Sequence, residues 1–124
     1  MAINPISSDP TAGMLHKLLD VTYAQQRVLS NNIANVNTPQ YTRRKLAFGE
    51  AFQNAVRKGD LEGAMRMRGS VQLDQSLPAR QDGNNVSLPL ELQALSRNGL
   101  THQLLTQALK KKIGILRSAI GGGK

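Results

Sequence analysis

Apolar residues recur with a helical rhythm at both ends of the chain and lose it in the middle. Between Thr11 and Val36, the residues Leu15, Leu19, Leu29, Ile33 and Val36 follow steps of four and three, with Thr22 and Gln26 at intervening positions of the same strip. A second strip, Met14, Leu18, Val21 and Val28, runs beside it and widens the apolar face beyond what one partner helix covers. The pattern predicts a helix over 11–36, roughly 35 to 40 Å long. An arm over 1–10 precedes it, where Pro5 and Pro10 oppose regular structure until Asp9 or Thr11 caps the helix. Pro39 disfavours helical geometry at the residue before it, so the helix should stop between Asn35 and Thr38.

Over 37–87 the rhythm is short or absent. Phe48, Ala51, Phe52, Ala55 and Val56 predict a short amphipathic helix near 48–58, ending at Lys58-Gly59. From there to residue 87 glycines and Pro78 break every period, and an irregular loop or a small hairpin is expected. The last element is the most regular. Leu88, Leu92, Leu95, Gly99, His102, Thr106, Leu109, Ile113, Leu116 and Ile120 alternate steps of four and three, the 3.5-residue period of a supercoiled helix. A helix over 88–120 follows, with Ser87 as N-cap, Pro89 in its first turn and a glycine-rich tail over 121–124.

The resulting fold class is mainly α: two long terminal helices packed as an antiparallel coiled coil, with a short helix and a loop between, in one domain over 1–124. Leu15, Leu19, Leu29 and Ile33 should pack against Leu92, Leu95, Leu109, Ile113 and Leu116. The interruptions at Thr22, Gln26, Gly99, His102 and Thr106 weaken such a seam, because ordering each residue costs about 1–2 kcal/mol of entropy that burial must offset. Stability should therefore draw on neighbouring copies.

Composition changes the picture in two ways. Aromatic residues make up only 3%, which limits the core to aliphatic side chains, and the net charge is +8, with nine basic against three acidic groups after residue 62. Such a balance favours acidic partners. The clusters Arg43 to Lys45 and Lys110 to Lys112 read as solvated faces or contacts to an acidic neighbour; a basic helical nucleic-acid-binding protein is the alternative, although stacking aromatics are scarce. Direct membrane insertion is not expected, since no stretch approaches the roughly 18 apolar residues of a span, and no cleavable secretion signal is visible.

Catalytic chemistry finds little support. Cysteine is absent, His16 and His102 lie on different helices without carboxylates at ligand spacing, and Asp82-Gly83-Asn84-Asn85 lacks the acidic pattern of a calcium loop. No catalytic, cofactor or metal site is expected, and Asp60 with Glu62 is too little for an enzyme acting on cell-wall polymer.

The stretch Ser30 to Tyr41, SNNIANVNTPQY, is the most specific in the chain. Asparagines are poor helix formers, so Asn31, Asn32 and Asn35 need a reason other than propensity, and carboxamides that both donate and accept supply one. The stretch resembles the signature of the axial proteins of the bacterial flagellum, in which a helix ends in Asn-Asn-Ile-Ala-Asn followed by Thr, Pro or Gly, and Tyr. Asn31, Asn32, Ile33, Ala34, Asn35, Thr38, Pro39 and Tyr41 match it, with Arg43 and Arg44 following. Gln40 stands where those proteins usually carry glycine, and Ser87 and Pro89 depart from their pattern at the start of the last helix. Within the family, the chain's length, its Asp82 to Val86 turn and its last helix are similar to those of the small proximal-rod subunits.

That resemblance implies a structural rod subunit rather than an enzyme, assembling helically as a homo-oligomer through terminal helices that line a tube. It implies Asn31, Asn32 and Asn35 in subunit contacts, and a place in the periplasmic rod of the basal body. It further implies passage through the flagellar type III export apparatus without a cleaved signal, and FlgC-type rod proteins, a FliE-type adaptor and the MS ring as neighbours that relay torque to hook and filament.

Overall fold

In a computed structural model, residues 9–121 are described; residues 1–8 of the arm expected over 1–10, and the tail beyond Gly121, lie outside them, while Pro10 already belongs to the first helix. The chain is mainly helical. Helix α1 spans Pro10–Ala34, strand β1 Arg44–Ala47, helix α2 Gly49–Arg57, helix α3 Leu61–Arg66, strand β2 Ser70–Leu73 and helix α4 Leu88–Ile120.

Helix α1 starts where Asp9 accepts a hydrogen bond from the Thr11 amide and Pro10 fills the first helical position, which needs no amide donor. It ends at Asn35, five residues before a non-glycine residue in the left-handed region, Gln40 with φ 64°. Helix α4 likewise begins behind Ser87 with Pro89 in its first turn, and stops at Gly121. The two long helices pack together and run in opposite directions. Asp9 reaches Lys112 at 3.3 Å, the Thr22 hydroxyl lies 2.8 Å from His102 Nδ1, and Asn32 meets Glu91.

The seam between them differs in phase from the expected one at its upper end. Glu91 is fully buried and Asn98 reaches across to the Thr22 carbonyl at 2.9 Å, whereas Leu92 is 48% exposed and Leu88 and Gly99 face outward. The expectation that Leu92 packs in the seam is corrected: a rotation by one residue puts two polar side chains inside, and both have partners there. Leu29 and Leu109 are buried, and Leu15, Leu19, Ile33, Leu95, Ile113 and Leu116 half-buried. Gln26, expected in the strip, is exposed.

At mid-length the seam carries a polar belt. Thr22 donates its hydroxyl proton back to the Leu19 carbonyl at 2.7 Å, so the contact with His102 is best made by an Nδ1 proton donated to the Thr22 oxygen. The Tyr23 ring meets the His102 ring edge-on at 4.8 Å. These residues interrupt the aliphatic pattern, yet the Thr22 hydroxyl and His102 Nδ1 are satisfied within the seam.

The middle of the chain is more ordered than an irregular loop, and its two strands do not form a local hairpin. Strands β1 and β2 pair antiparallel, Arg44 opposite Leu73 and Ala47 opposite Ser70, with α2 and α3 inserted between them. That insertion has its own small core. Phe52, Ala55 and Ala64 are buried, Phe48 stacks on Phe52 at 5.0 Å, and Met14 and Leu18 of α1 close the cluster. The second strip of α1 is thereby explained in part: Met14 and Leu18 pack on the α2 and α3 cluster and Val28 lies beside the sheet, while the first strip packs on α4. Short strands with Gly69 and an exposed Val71 and Leu73 leave no sequence period from which the pairing could be read.

Leu29 is almost fully enclosed in the α1 and α4 seam, so Leu29→Ala should lower stability by about 2–4 kcal/mol. Urea unfolding followed by helical circular dichroism measures it; a loss below about 1 kcal/mol would mean the seam collapses around the vacancy.

Candidate functional site

The signature residues converge with the turn before α4 at one end of the helix pair. Each unit of the junction can be built from its hydrogen-bond demands. The cap and turn that follow α1 present carbonyls beyond the reach of the helix's own amides, and they must find other donors. Asn84, fully buried, supplies them: its Nδ2 lies 2.8 Å from the Asn35 carbonyl, 2.9 Å from that of Thr38 and 3.1 Å from that of Val36. Arg80 donates to Val36 O and to Val86 O, both at 2.6 Å, and so joins the end of α1 to the segment leading into α4.

Asn32 does the opposite work, gripping an extended strand from a helix. Its Nδ2 donates to the Arg44 carbonyl at 2.8 Å and to Glu91 Oε2 at 3.3 Å. Its Oδ1 accepts from the Arg44 amide at 2.9 Å and from the Tyr41 hydroxyl at 3.1 Å. Two donors and two acceptor sites are thus all used, and the carboxamide pairs with β1 as another strand would. The subunit-contact role expected of Asn32 is corrected, because its side chain is enclosed within its own chain. Asn35 bonds the Asn31 carbonyl at 2.8 Å and accepts from Thr38 at 3.1 Å, forming the local cap. Asn31, Ala34, Thr38 and Pro39 are exposed, and Ile33 and Tyr41 half-buried.

Arg43 is the charged centre. Its Nε donates to Glu91 and its Nη1 to Asp74, both in close contact, while its amide donates to Asn85 Oδ1 at 2.6 Å. Its carbonyl accepts from the Asp74 amide at 2.7 Å, and Asn85 Nδ2 donates to the Asp74 carbonyl at 2.8 Å. One arginine thereby ties the turn after α1, the end of β2 and the first turn of α4. Burial pulls the Arg43 guanidinium down, but hydrogen bonding and charge from Glu91, then from Asp74, outweigh it and raise its pKa. Asp74 is held below the usual carboxylate range, first by hydrogen bonds from Ser76 and then by Arg43.

The turn geometry is tight at Gln40 and Gly83. The Gln40 amide donates to the Asp82 carbonyl at 2.8 Å, and its side chain lies over Gly83, whose φ of 81° and lack of a Cβ let it approach. A methyl group at Gly83 would come within 2.6 Å of Gln40 Oε1. Gln40 therefore adopts the left-handed geometry natural to the glycine usual at that position.

The spacing singles out Asn32 but neither its partner Glu91 nor Asp74, Arg80, Asn84 and Asn85 as members of the junction. A signal existed for Glu91, the one acidic residue in a helix of 33. Nothing in the spacing linked it to Arg43. Among the described residues no group of three histidine or acidic side chains could hold a metal ion.

A family model described as flagella basal body rod protein matches residues 22–42, the stretch from the polar belt to the junction. The chain is similar to the flagellar basal body rod protein FlgB of Borrelia hermsii, 30% identical over 75% of this chain and 82% of that one. It is 29% identical to the FlgB of Bacillus subtilis, over 81% of this chain and 84% of the relative, and 29% identical to that of Aeromonas hydrophila, over 94% and 97%.

Removing the Arg43 charge leaves two buried carboxylates facing each other. Arg43→Met should cost about 3–5 kcal/mol, a large part of the roughly 5–15 kcal/mol that holds an ordinary domain folded, as read by urea unfolding. Because Asp74 titrates lower in the folded state, its contribution is fully present above the unfolded value near ~3.9 and is lost as pH falls through the lower, folded one. Between pH 6 and pH 3 the unfolding midpoint of Asp74→Asn should fall less than that of the parent; equal falls would remove Asp74 from the acid response.

Proposed function

The chain belongs to the flagellar basal body rod protein FlgB family, and from that premise we propose that it is a subunit of the proximal rod that assembles helically through α1 and α4. It is a structural component of the flagellar basal body, assembling with other rod and basal body components. The finer reading is that its helix pair supercoils as an antiparallel coiled coil in one rod-core domain and helps line the export channel. Rigidly connected subunits then pass torque from the MS ring toward hook and filament. FlgC-type rod proteins and a FliE-type adaptor are its proposed neighbours. It would arrive in the periplasm through the flagellar type III apparatus, without a cleaved signal.

The observation that carries helical assembly is the outer face of α4. Leu100, Leu104 and Ile115 are all exposed and fall within about 60° of one another around the helix, opposite the buried Leu109. Three exposed aliphatic side chains on one face of a long helix, with only Gln107 and Lys111 between Leu104 and Ile115, are what neighbouring subunits would cover. The proposed contact residues of the signature are accordingly Asn31, Thr38 and Pro39, which remain exposed.

Mass spectrometry of purified basal bodies tests the reading, with the chain expected at a low, fixed ratio to the hook subunit. Leu109→Asp places a charge in the seam and should abolish incorporation and motility, whereas Arg66→Ala, at an exposed position, should leave both intact. Normal motility of a strain whose only copy carries Leu109→Asp would sink the proposal.

A further inference from the structure

A cleft of about 410 Å³ opens between α1 and the sheet, beside the last turns of the helix. Ala24 and Val28 of α1 form one apolar wall and Leu46 and Val71 of the sheet the other, with Val71 56% exposed. Arg27 and Arg44 stand at the rim together with Asn31. Among the described residues neither arginine has an ion-pair partner; Arg44 lies 5.8 Å from the centre of the Tyr41 ring, a contact that leaves its charge available. Such a site suits an aliphatic side chain flanked by carboxylates.

The chain itself carries one such feature. Leu61, 37% exposed at the first turn of α3, is the only exposed large apolar residue among those described that has acidic residues on both sides, Asp60 and Glu62, with both neighbours exposed. Asp60 accepts from the Gly63 amide with one oxygen at 2.9 Å, and neither residue is engaged in an ion pair among the described residues. Helix α3 rests against the start of α1, where Met65 meets Gly13, and the cleft begins at Ala24, roughly 16 Å further along the helix axis. The two surfaces are therefore different patches of one molecule. A single contact between them is head-to-tail, and it propagates as a helical array where its rotation does not close a ring.

We propose that the cleft seats the Asp60-Leu61-Glu62 turn of a neighbouring copy, an inference that rests on the rod-subunit reading and adds to it the contact by which one copy engages the next. Leu61 enters between Val28 and Val71, and Asp60 and Glu62 meet Arg27 and Arg44. The match also offsets part of a +8 charge that would otherwise drive identical copies apart. Asn31 at the rim presents outward the same carboxamide with which Asn32 grips the β1 backbone, and is placed to bond the incoming turn.

The absence of cysteine makes the test direct. Leu61→Cys and Val71→Cys chains of different tagged length are co-expressed in a strain lacking the parent gene, and isolated basal bodies are oxidised. A cross-linked heterodimer is expected when both variants are present and in neither single-variant strain. Incorporation of both without the heterodimer overturns the contact and leaves the rod reading standing; absence of the parent chain from basal bodies overturns the rod reading itself. Should a cysteine variant stay out of the basal body, charge reversal decides. Arg27→Glu with Arg44→Glu should lower incorporation several-fold, and adding Asp60→Arg with Glu62→Arg to the same chain should restore it. Undiminished incorporation of the first variant, or no recovery in the second, overturns the contact.

Discussion

Everything at the junction turns on Arg43, a single cation shared by the two buried carboxylates of Asp74 and Glu91. Neither carboxylate could be buried alone, since several kcal/mol of lost hydration must be returned by pairing and hydrogen bonds. The cation comes from the turn after α1, one carboxylate from the end of β2 and the other from the first turn of α4. Removing any one leaves charge stranded among the others. The three segments are thereby obliged to come together, which fixes how far α4 slides along α1 more sharply than an aliphatic seam would.

Around that centre, asparagines convert backbone ends into joints. Asn84 caps the end of α1 from a distant loop, Asn85 braces Arg43 and Asp74, and Asn32 takes the place of a strand beside β1. The carboxamide suits all three tasks because it donates and accepts without charge. Two adjacent residues of identical type illustrate how position decides role. One residue along a helix is a rotation of about 100°, so Asn32 faces the junction and is enclosed, while Asn31 faces solvent beside Arg27.

The same economy explains why the chain suits assembly. Its apolar residues are divided among the seam, the small cluster around Phe52 and an exposed stripe on α4, and no one of these is large. Polar belts at Thr22, Asn98 and His102 specify register but contribute less burial than aliphatic residues would. A subunit built this way keeps apolar surface for its neighbours, and the junction holds that surface in a defined shape.

The sequence by itself determined the two long helices, because their apolar repeats, proline positions and capping residues act within a few residues of each other. It also marked the asparagine-rich stretch as exceptional, and through it the family. Only the tertiary structure decided that Glu91 and Asn98 displace Leu92 and Gly99 from the seam, since a polar residue is admitted to a core by partners distant in the chain. Likewise β1 and β2 find each other across α2 and α3, with four-residue strands too short to carry a period. Local spacing records local geometry; the joining of Arg43 to Asp74 and Glu91, 31 and 48 residues away, is a long-range electrostatic requirement that no local pattern encodes.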